Sequence, residues 1–263
     1  MKVEPWQTMA VLLLAAYVAV PVAGDCLCDV SASVAYPGMQ RIDCSFLSLV
    51  QVPADCLTNS LNISELLLSH NGLTDIRSTT LAELTELREL RLDNNQLSFI
   101  DVTAFEFMTE LKVLALDHNL NLALESAVFS YLVSLEELTT IGTNLRYLPD
   151  ITNLAHLKKL DVRSSNLVTL PVHMFNDQLA APSMYVSIQG NKIPDAAVNS
   201  FLGLPDDTIF YVDTEPQLMF WAHNVTERDA FIAKPWRVNF DLPGSTVMCD
   251  VDGLPGDLTI CYG

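Results

Sequence analysis

Hydrophobic and polar positions alternate over short stretches that recur about every 24 residues. The clearest copy is Leu87–Leu97, which follows the pattern L-x-x-L-x-L-x-x-N-x-L, and copies begin at positions 63, 87, 111 and 135. Leu90 and Leu92 flank Arg91, as in a strand with one buried face. A single unit cannot bury its leucines, whereas stacked units share one interior. The spacing therefore predicts a solenoid with a parallel sheet along one side.

Apolar residues recur in three sets with this period. The first set predicts seven strands, at Leu66/Leu68, Leu90/Leu92, Leu114/Leu116, Leu138/Thr140, Leu160/Val162, Val186/Ile188 and Phe210/Val212. The second follows the strands and comprises Ile76, Ile100, Leu124, Leu148 and Leu170. The third comprises Leu81, Phe105, Phe129, Phe175 and Phe201, which we expect to stack as a spine under the convex side. A period of about 24 argues against one helical stripe, whose period is about 3.6.

A polar position closes each predicted strand. It is occupied in turn by Asn71, Asn95, Asn119, Thr143, Ser165, Asn191 and Glu215. An asparagine amide can bond the backbone of the neighbouring turn, whereas a hydroxyl satisfies fewer backbone groups. The fourth unit also has 22 residues and the fifth 26, so we predict that the middle of the array is less regular. Leu120 or Leu122 is expected to replace Asn121 in the interior.

Targeting and modification signals indicate a secreted chain. Residues 1–24 have the features of a cleaved secretory signal. Lys2 places a positive charge near the start, an apolar run spans Met9–Val20, and small residues precede Asp25. The run is shorter than the roughly 20 residues of a membrane span, although an uncleaved anchor is the alternative. We expect no membrane insertion after signal removal, and no apolar tail for a glycolipid anchor is seen before Gly263. Asn62 and Asn224 begin glycosylation sequons.

Six cysteines lie only near the two ends, at Cys26, Cys28, Cys44, Cys56, Cys249 and Cys261. An even number around a secreted array favours disulfides, with a zinc site as the alternative. Cys26 and Cys28 are too close in sequence to bridge easily. The remaining pairings are 26–44 with 28–56, or 26–56 with 28–44.

The repeats, the Cys26-Leu27-Cys28 pair and the Phe210–Pro216 segment together resemble secreted extracellular leucine-rich-repeat proteins with cysteine-flanked caps. The resemblance implies an α/β solenoid, a horseshoe with a concave parallel sheet and an irregular or short-helical convex side. It divides the chain into a signal (1–24), an N-terminal cap (25–60), an array (61–216) and a degenerate C-terminal cap (217–263). That last cap lacks the usual paired cysteines and should carry one bridge, 249–261. The family binds protein or glycan ligands.

Charge and motifs narrow the function. The net charge of −18 and the pI near 4.4 disfavour nucleic acid and anionic membranes as partners but permit a cationic partner. The sequence shows no G-x-S-x-G elbow, H-E-x-x-H pair, phosphate loop or calcium loop, so we predict no enzyme, cofactor or metal site. His70 and His118 share one repeat position and are expected to be exposed turn residues.

The concave face is the predicted ligand surface. Seven strands about 4.8 Å apart give a face roughly 30 Å long, enough for a standard interface of about 800 Å² per partner. The outward residues assigned to ligand binding are Arg91, Asp93, Asp117, Ile141, Arg163, Tyr185 and Tyr211. Aromatic and arginine side chains dominate interface energies, so we expect Tyr185 and Arg163 to contact a protein. The alternatives are a matrix structural component, or a soluble co-receptor or decoy in innate immune or developmental signalling.

Overall fold

The computed structural model describes residues 26–57, 62–171, 174–175, 179, 181–193, 204–205, 208–212, 237–240, 248–250 and 259–262. Two four-residue helices are present, α1 (Ala54–Leu57) and α2 (Ser78–Leu81). The strands are β1 (Asp29–Ala32), β2 (Gln40–Asp43), β3 (Ile63–Leu67), β4 (Asp75–Ile76), β5 (Glu89–Arg91), β6 (Phe99–Ile100), β7 (Val113–Ala115), β8 (Glu137–Thr139), β9 (Lys159–Asp161), β10 (Tyr185–Ser187), β11 (Ile209–Val212), β12 (Arg237–Phe240), β13 (Met248–Asp250) and β14 (Thr259–Tyr262).

One long sheet runs through the molecule, with its strands in the order β1-β2-β3-β5-β7-β8-β9-β10-β11-β12-β14-β13. Every neighbouring pair from β2 to β14 is parallel, whereas β1 and β13 pair antiparallel at the two edges. The register advances by one repeat per strand, so Leu66, Leu90, Leu114 and Leu138 are successive Cα partners. The predicted solenoid with a parallel sheet is confirmed, and all seven predicted strands are present.

The repeated apolar residues form one continuous interior. The strand leucines from Leu66 to Leu160 are fully buried, as are Phe105 and Phe129 of the predicted spine. Leu122 is buried while Leu120 is 66% exposed, so Leu122 is the residue that replaces Asn121. The spine position Phe201, and the side chains of Phe210 and Val212, lie outside the described residues.

Asparagine side chains join each coil to the one before it. Asn95 Oδ1 accepts a hydrogen bond from Leu73 N at 3.1 Å, and Asn95 Nδ2 donates to Leu68 O at 2.9 Å and Leu92 O at 3.0 Å. Asn71, Asn119 and Asn191 bond in the same way.

The two hydroxyl residues in this column bond differently. Thr143 Oγ1 donates to Thr140 O at 2.9 Å, inside its own turn. The Ser165 hydroxyl donates to Thr140 O of the preceding coil. Neither hydroxyl reproduces the set of bonds that Asn95 makes. Glu215, the last member of the column, lies outside the described residues.

Two disulfides close the N-terminal end. Cys26 pairs with Cys56 and Cys28 with Cys44, at Cα separations of 4.8 and 4.4 Å. This is one of the two pairings that the sequence left open. Because these four cysteines form disulfides, the alternative of a zinc site is wrong for them. Cys249 and Cys261 are opposite each other in the β13·β14 register, but their side chains and the signal residues 1–24 lie outside the described part. The third bridge and the domain boundaries stay predictions. Among the described helices, none has the length and apolar character to cross a bilayer.

Candidate functional site

Three columns of side chains cover the concave face, because strand residues next to the interior leucines point away from the core. The described members include Glu65, Glu89, Val113, Glu137, Lys159, Tyr185 and Ile209 in the first column, Leu67, Arg91, Ala115, Thr139, Asp161, Ser187 and Tyr211 in the second, and Ser69, Asp93, Asp117, Ile141, Arg163 and Gln189 in the third. The face is not uniformly open, since Asp161 is 2% and Ser187 0% exposed. Larger side chains on adjoining strands therefore shield the smaller ones.

Tyr185 and Tyr211 form an aromatic contact near the C-terminal end of the described array. They lie on the neighbouring strands β10 and β11, with ring centroids 5.1 Å apart and ring planes 38° apart. Both side chains are half-buried, so each ring rests on the protein and presents part of its surface to solvent. We name Asp161, Arg163, Tyr185 and Tyr211 the tyrosine patch.

An ion pair supports the tyrosine patch. Arg163 Nε donates to Asp161 Oδ1 at 2.9 Å, and the Arg163 side chain stays 41% exposed while that of Asp161 is 3% exposed. Burial raises the pKa of Tyr185, and the negative charge of Asp161 raises it further. The Tyr185 hydroxyl is therefore protonated at neutral pH and can donate a hydrogen bond to a partner.

The centre of the face contains a desolvated carboxylate. Asp117 accepts hydrogen bonds from Thr139 Oγ1 at 2.9 Å and from Ile141 N at 2.6 Å. Burial raises the pKa of Asp117, and the nearby charges of Asp93 and Asp161 add to that rise, while the two hydrogen bonds oppose it. Asp93 is held separately, by Ser69 Oγ at 2.7 Å. The two stacked carboxylates thus accept hydrogen bonds from different neighbouring groups.

An open depression of about 580 Å³ lies at the N-terminal end of the face. Arg91 and Asp93 line it, together with Phe46 and His70 from the rim. Sequence reasoning missed Phe46, because it precedes the first recognised repeat. Counting back 24 residues from His70 reaches Phe46, so the repeat period itself carried the signal.

The structure distributes the predicted ligand residues over the whole face. Arg163, Tyr185 and Tyr211 come together in the tyrosine patch, Asp117 and Ile141 lie at the centre, and Arg91 and Asp93 lie at the N-terminal end. His70 and His118 are exposed, as predicted, and so is Asn62 of the first sequon. Asn224 of the second sequon lies outside the described residues. Glycosylation and ligand contact stay predictions.

A family model described as leucine rich repeat matches residues 85–145. No curated protein matches the chain. The matched segment contains β5 to β8, and parallel strands of the same sheet flank it on both sides. Residues 85–145 are therefore leucine-rich repeats, and they lie within a longer solenoid that begins with two cysteine pairs.

Proposed function

We propose that this protein is a secreted, non-enzymatic recognition protein that binds an extracellular protein through the concave face of its solenoid. The tyrosine patch is the centre of that interface. The observation that carries the proposal is the contact between Tyr185 and Tyr211, with Arg163 beside it on the same open face. The repeat match supports a binding role, since such arrays expose broad curved surfaces to their partners.

The tyrosine patch has the chemistry of an interface centre. Tyrosine and arginine contribute most of the binding energy at typical protein interfaces. Tyr185 and Tyr211 are already packed against each other, so binding would order few additional side-chain torsions. The buried Asp161 carboxylate fixes the guanidinium of Arg163, which orients it before a partner arrives.

The rest of the face extends the proposed contact area. Ile141 offers an apolar side chain next to the patch, and Asp117 and Asp93 continue the third column toward the N-terminal end. Arg91 forms an ion pair with Glu89, so the positive charge of Arg91 is balanced by a neighbouring carboxylate. A partner covering these positions together with the patch would span most of the described concave strands.

The cysteines support an extracellular setting. Disulfides persist in oxidising compartments, and two of them close the N-terminal end of this array. The predicted secretory signal and the exposed sequon at Asn62 agree with export. Secretion and glycosylation are tested together by expressing the full chain in secretory cells and examining the medium for a cleaved, glycosidase-sensitive product.

The binding test begins with a screen of extracellular proteins against the glycosylated mature chain, followed by affinity measurements on variants. Tyr185→Ala is expected to weaken binding by about 2 kcal/mol or more, roughly thirtyfold, as for an interface hot spot. Tyr147→Ala is the matched control, because Tyr147 is exposed and pairs with Thr169 in an isolated parallel bridge outside the concave strands.

The arginine needs a milder change than alanine. Arg163→Ala would leave the buried Asp161 carboxylate without this cation, so a loss of binding could reflect unfolding. Arg163→Lys keeps the charge and removes the planar fork. The Tyr185→Ala, Arg163→Lys double variant should therefore lose binding while it unfolds at nearly the same denaturant concentration as the parent. Unchanged affinity in that folded variant would overturn the proposal.

A further inference from the structure

A left-handed backbone position recurs once per coil along one rim of the sheet. It immediately follows the third concave column, and its residues have φ between 53° and 66°. They are Phe46, His70, Asn94, His118, Gly142, Ser164 and Gly190. Glycine and asparagine tolerate this conformation best, whereas a bulky side chain there is strained. Six of these seven residues are small, polar or imidazole-bearing, and Phe46 is the exception.

The fold holds Phe46 in this unfavourable conformation. Phe46 N donates to Ser69 O at 3.1 Å, and Asn71 Oδ1 accepts from Leu47 N and Leu49 N on the following turn. The Phe46 side chain is nevertheless 72% exposed, so burial of the ring does little to offset the conformational strain of the backbone. Strained residues that a fold over-determines are concentrated at binding and catalytic sites.

The exposed ring is held in a fixed position. Phe46 stacks on His70 with ring centroids 4.2 Å apart and planes 10° apart. The pair lines the 580 Å³ depression together with Leu27, an apolar side chain that is 58% exposed. A rigid aromatic wall beside an apolar surface is the arrangement that receives a planar or aliphatic group.

Charge identifies the group that fits. Three aspartates, Asp29, Asp43 and Asp93, and two arginines, Arg41 and Arg91, line the depression. Both arginines are paired, Arg41 with Asp43 and Glu65, and Arg91 with Glu89. Within the described residues, Asp29 and Asp93 have no cation within ion-pair distance.

We propose that this depression is a second binding site, which receives an arginine side chain from a basic segment of a partner protein. The guanidinium stacks on the face of Phe46 that His70 leaves open and pairs with Asp29, while its aliphatic stem lies along Leu27. A second basic residue of the same segment pairs with Asp93, on the other side of His70. A guanidinium is planar, weakly hydrated and able to meet both an aromatic face and a carboxylate. The chain's net charge of −18 attracts such a segment from a distance.

The site stands apart from the tyrosine patch. It uses β1, β2, β3 and β5, whereas the patch uses β9, β10 and β11. A partner could occupy both, but either can fail without the other. Variants of Phe46 therefore test this inference, and variants of Tyr185 test the proposed function.

The test uses the intact, disulfide-bonded mature chain and two synthetic peptides, (Arg-Gly)5 and its neutral counterpart (citrulline-Gly)5. Affinity is measured by titration at physiological ionic strength, and amide shifts in the ¹⁵N NMR spectrum locate the site. We expect (Arg-Gly)5 to bind and to shift the amides of Ser45, Phe46 and His70. Citrulline has the same shape without the charge, so (citrulline-Gly)5 should bind about tenfold more weakly or not at all.

Two variants separate the site from general acidity. Phe46→Gly places the residue found at Gly142 and Gly190 in the same backbone position, so it should fold, and it should bind (Arg-Gly)5 about fivefold more weakly. Phe46→Asn is avoided because it would create an Asn-Leu-Ser sequon. Asp93→Asn is the second variant and should also weaken binding about fivefold. Tyr147→Ala, at an exposed tyrosine outside the concave strands, is the matched control and should bind like the parent.

The inference is overturned if folded Phe46→Gly and Asp93→Asn bind (Arg-Gly)5 as the parent does. It is also overturned if the neutral peptide binds equally well, or if the amide shifts fall at the tyrosine patch. Any of these results would assign peptide binding to the overall negative charge or to another surface. Weakened binding of (Arg-Gly)5 in both variants, with shifts at the amides of Ser45, Phe46 and His70, supports the proposed arginine site.

Discussion

The interior and the concave face of this solenoid are built from the same strands but follow opposite rules. Interior positions repeat almost unchanged, as in Leu66, Leu90, Leu114 and Leu138, all fully buried. Outward positions on those strands change at every step, from Leu67 to Arg91 to Ala115 to Thr139.

The contrast separates stability from recognition. Interior side chains must fill the same space in every coil, so their type is restricted by packing. Outward side chains are released from that restriction and can differ from coil to coil. Substitutions in the two regions should therefore have different consequences, and the expected effects are given below from the largest to the smallest.

Phe105→Ala tests the interior most severely. Phe105 is fully buried in the aromatic spine, so truncation should leave a cavity and lower the free energy of unfolding by about 3–5 kcal/mol. Phe107→Ala, two residues away at a ring that is 51% exposed, should change it by less than about 0.5 kcal/mol. Denaturant unfolding measures both, and equal losses would contradict a single packed interior.

Asn95→Ala tests the bonds between coils. Its amide satisfies Leu73 N, Leu68 O and Leu92 O, so its loss should cost about 1–3 kcal/mol by leaving buried backbone groups unsatisfied. Thr143→Ala removes one bond within a single turn and should cost about 0.5–1.5 kcal/mol. Unfolding of the two variants by the same method compares them. A larger loss at Thr143 would mean that this column does not join the coils.

Adjacent threonines at the end of β8 should respond with opposite signs. Thr140 is fully buried, and its Oγ1 has no hydrogen-bond partner within the described residues, so Thr140→Val should stabilise the fold by about 1 kcal/mol. Thr139 Oγ1 donates to Asp117, so Thr139→Val should destabilise it by a similar amount, about 1 kcal/mol. Thermal unfolding of the pair gives the signs directly, and equal signs would contradict their assignment to different faces.

Asp117→Asn should show the mildest effect, as a change in pH dependence. Burial raises the pKa of Asp117 above its ordinary value of 3.8, so the folded chain takes up this proton before the unfolded chain does. The parent therefore bears a penalty at neutral pH that disappears as the pH falls through the raised pKa toward the ordinary one. The free energy of unfolding of the Asp117→Asn variant, relative to that of the parent, should therefore fall over that interval in urea titrations. A relative free energy that rises on acidification would contradict the raised pKa of Asp117.

The repeat period in the sequence was sufficient to predict the features that every coil shares with the next. It located the seven strands, the spine through Phe105 and Phe129, and the bonding role of Asn95, because each follows from one coil stacking on the next. It did not choose between the two N-terminal disulfide pairings, since both satisfy the spacing of Cys26, Cys28, Cys44 and Cys56.

The concave face was predictable in position but not in detail. The period placed Asp161 and Ser187 outward, yet both are nearly inaccessible because side chains on adjoining strands cover them. Such shielding depends on rotamers and curvature, which a spacing pattern does not contain. The position of Phe46 beside His70 was not predicted, for a different reason. The first coil contains cap residues in place of the full leucine pattern, so the predicted array begins only at the second coil, with β3.

The central claim is that the concave face, and not the back of the coil, contacts the partner. A photo-crosslinking residue placed at position 185 or at position 147 tests it, because Tyr185 lies on a concave strand and Tyr147 lies in the bridge to Thr169, outside the concave strands. With the partner present, we expect a crosslinked product from position 185 and none from position 147. Crosslinking from position 147 alone, or equally from both, would contradict the account.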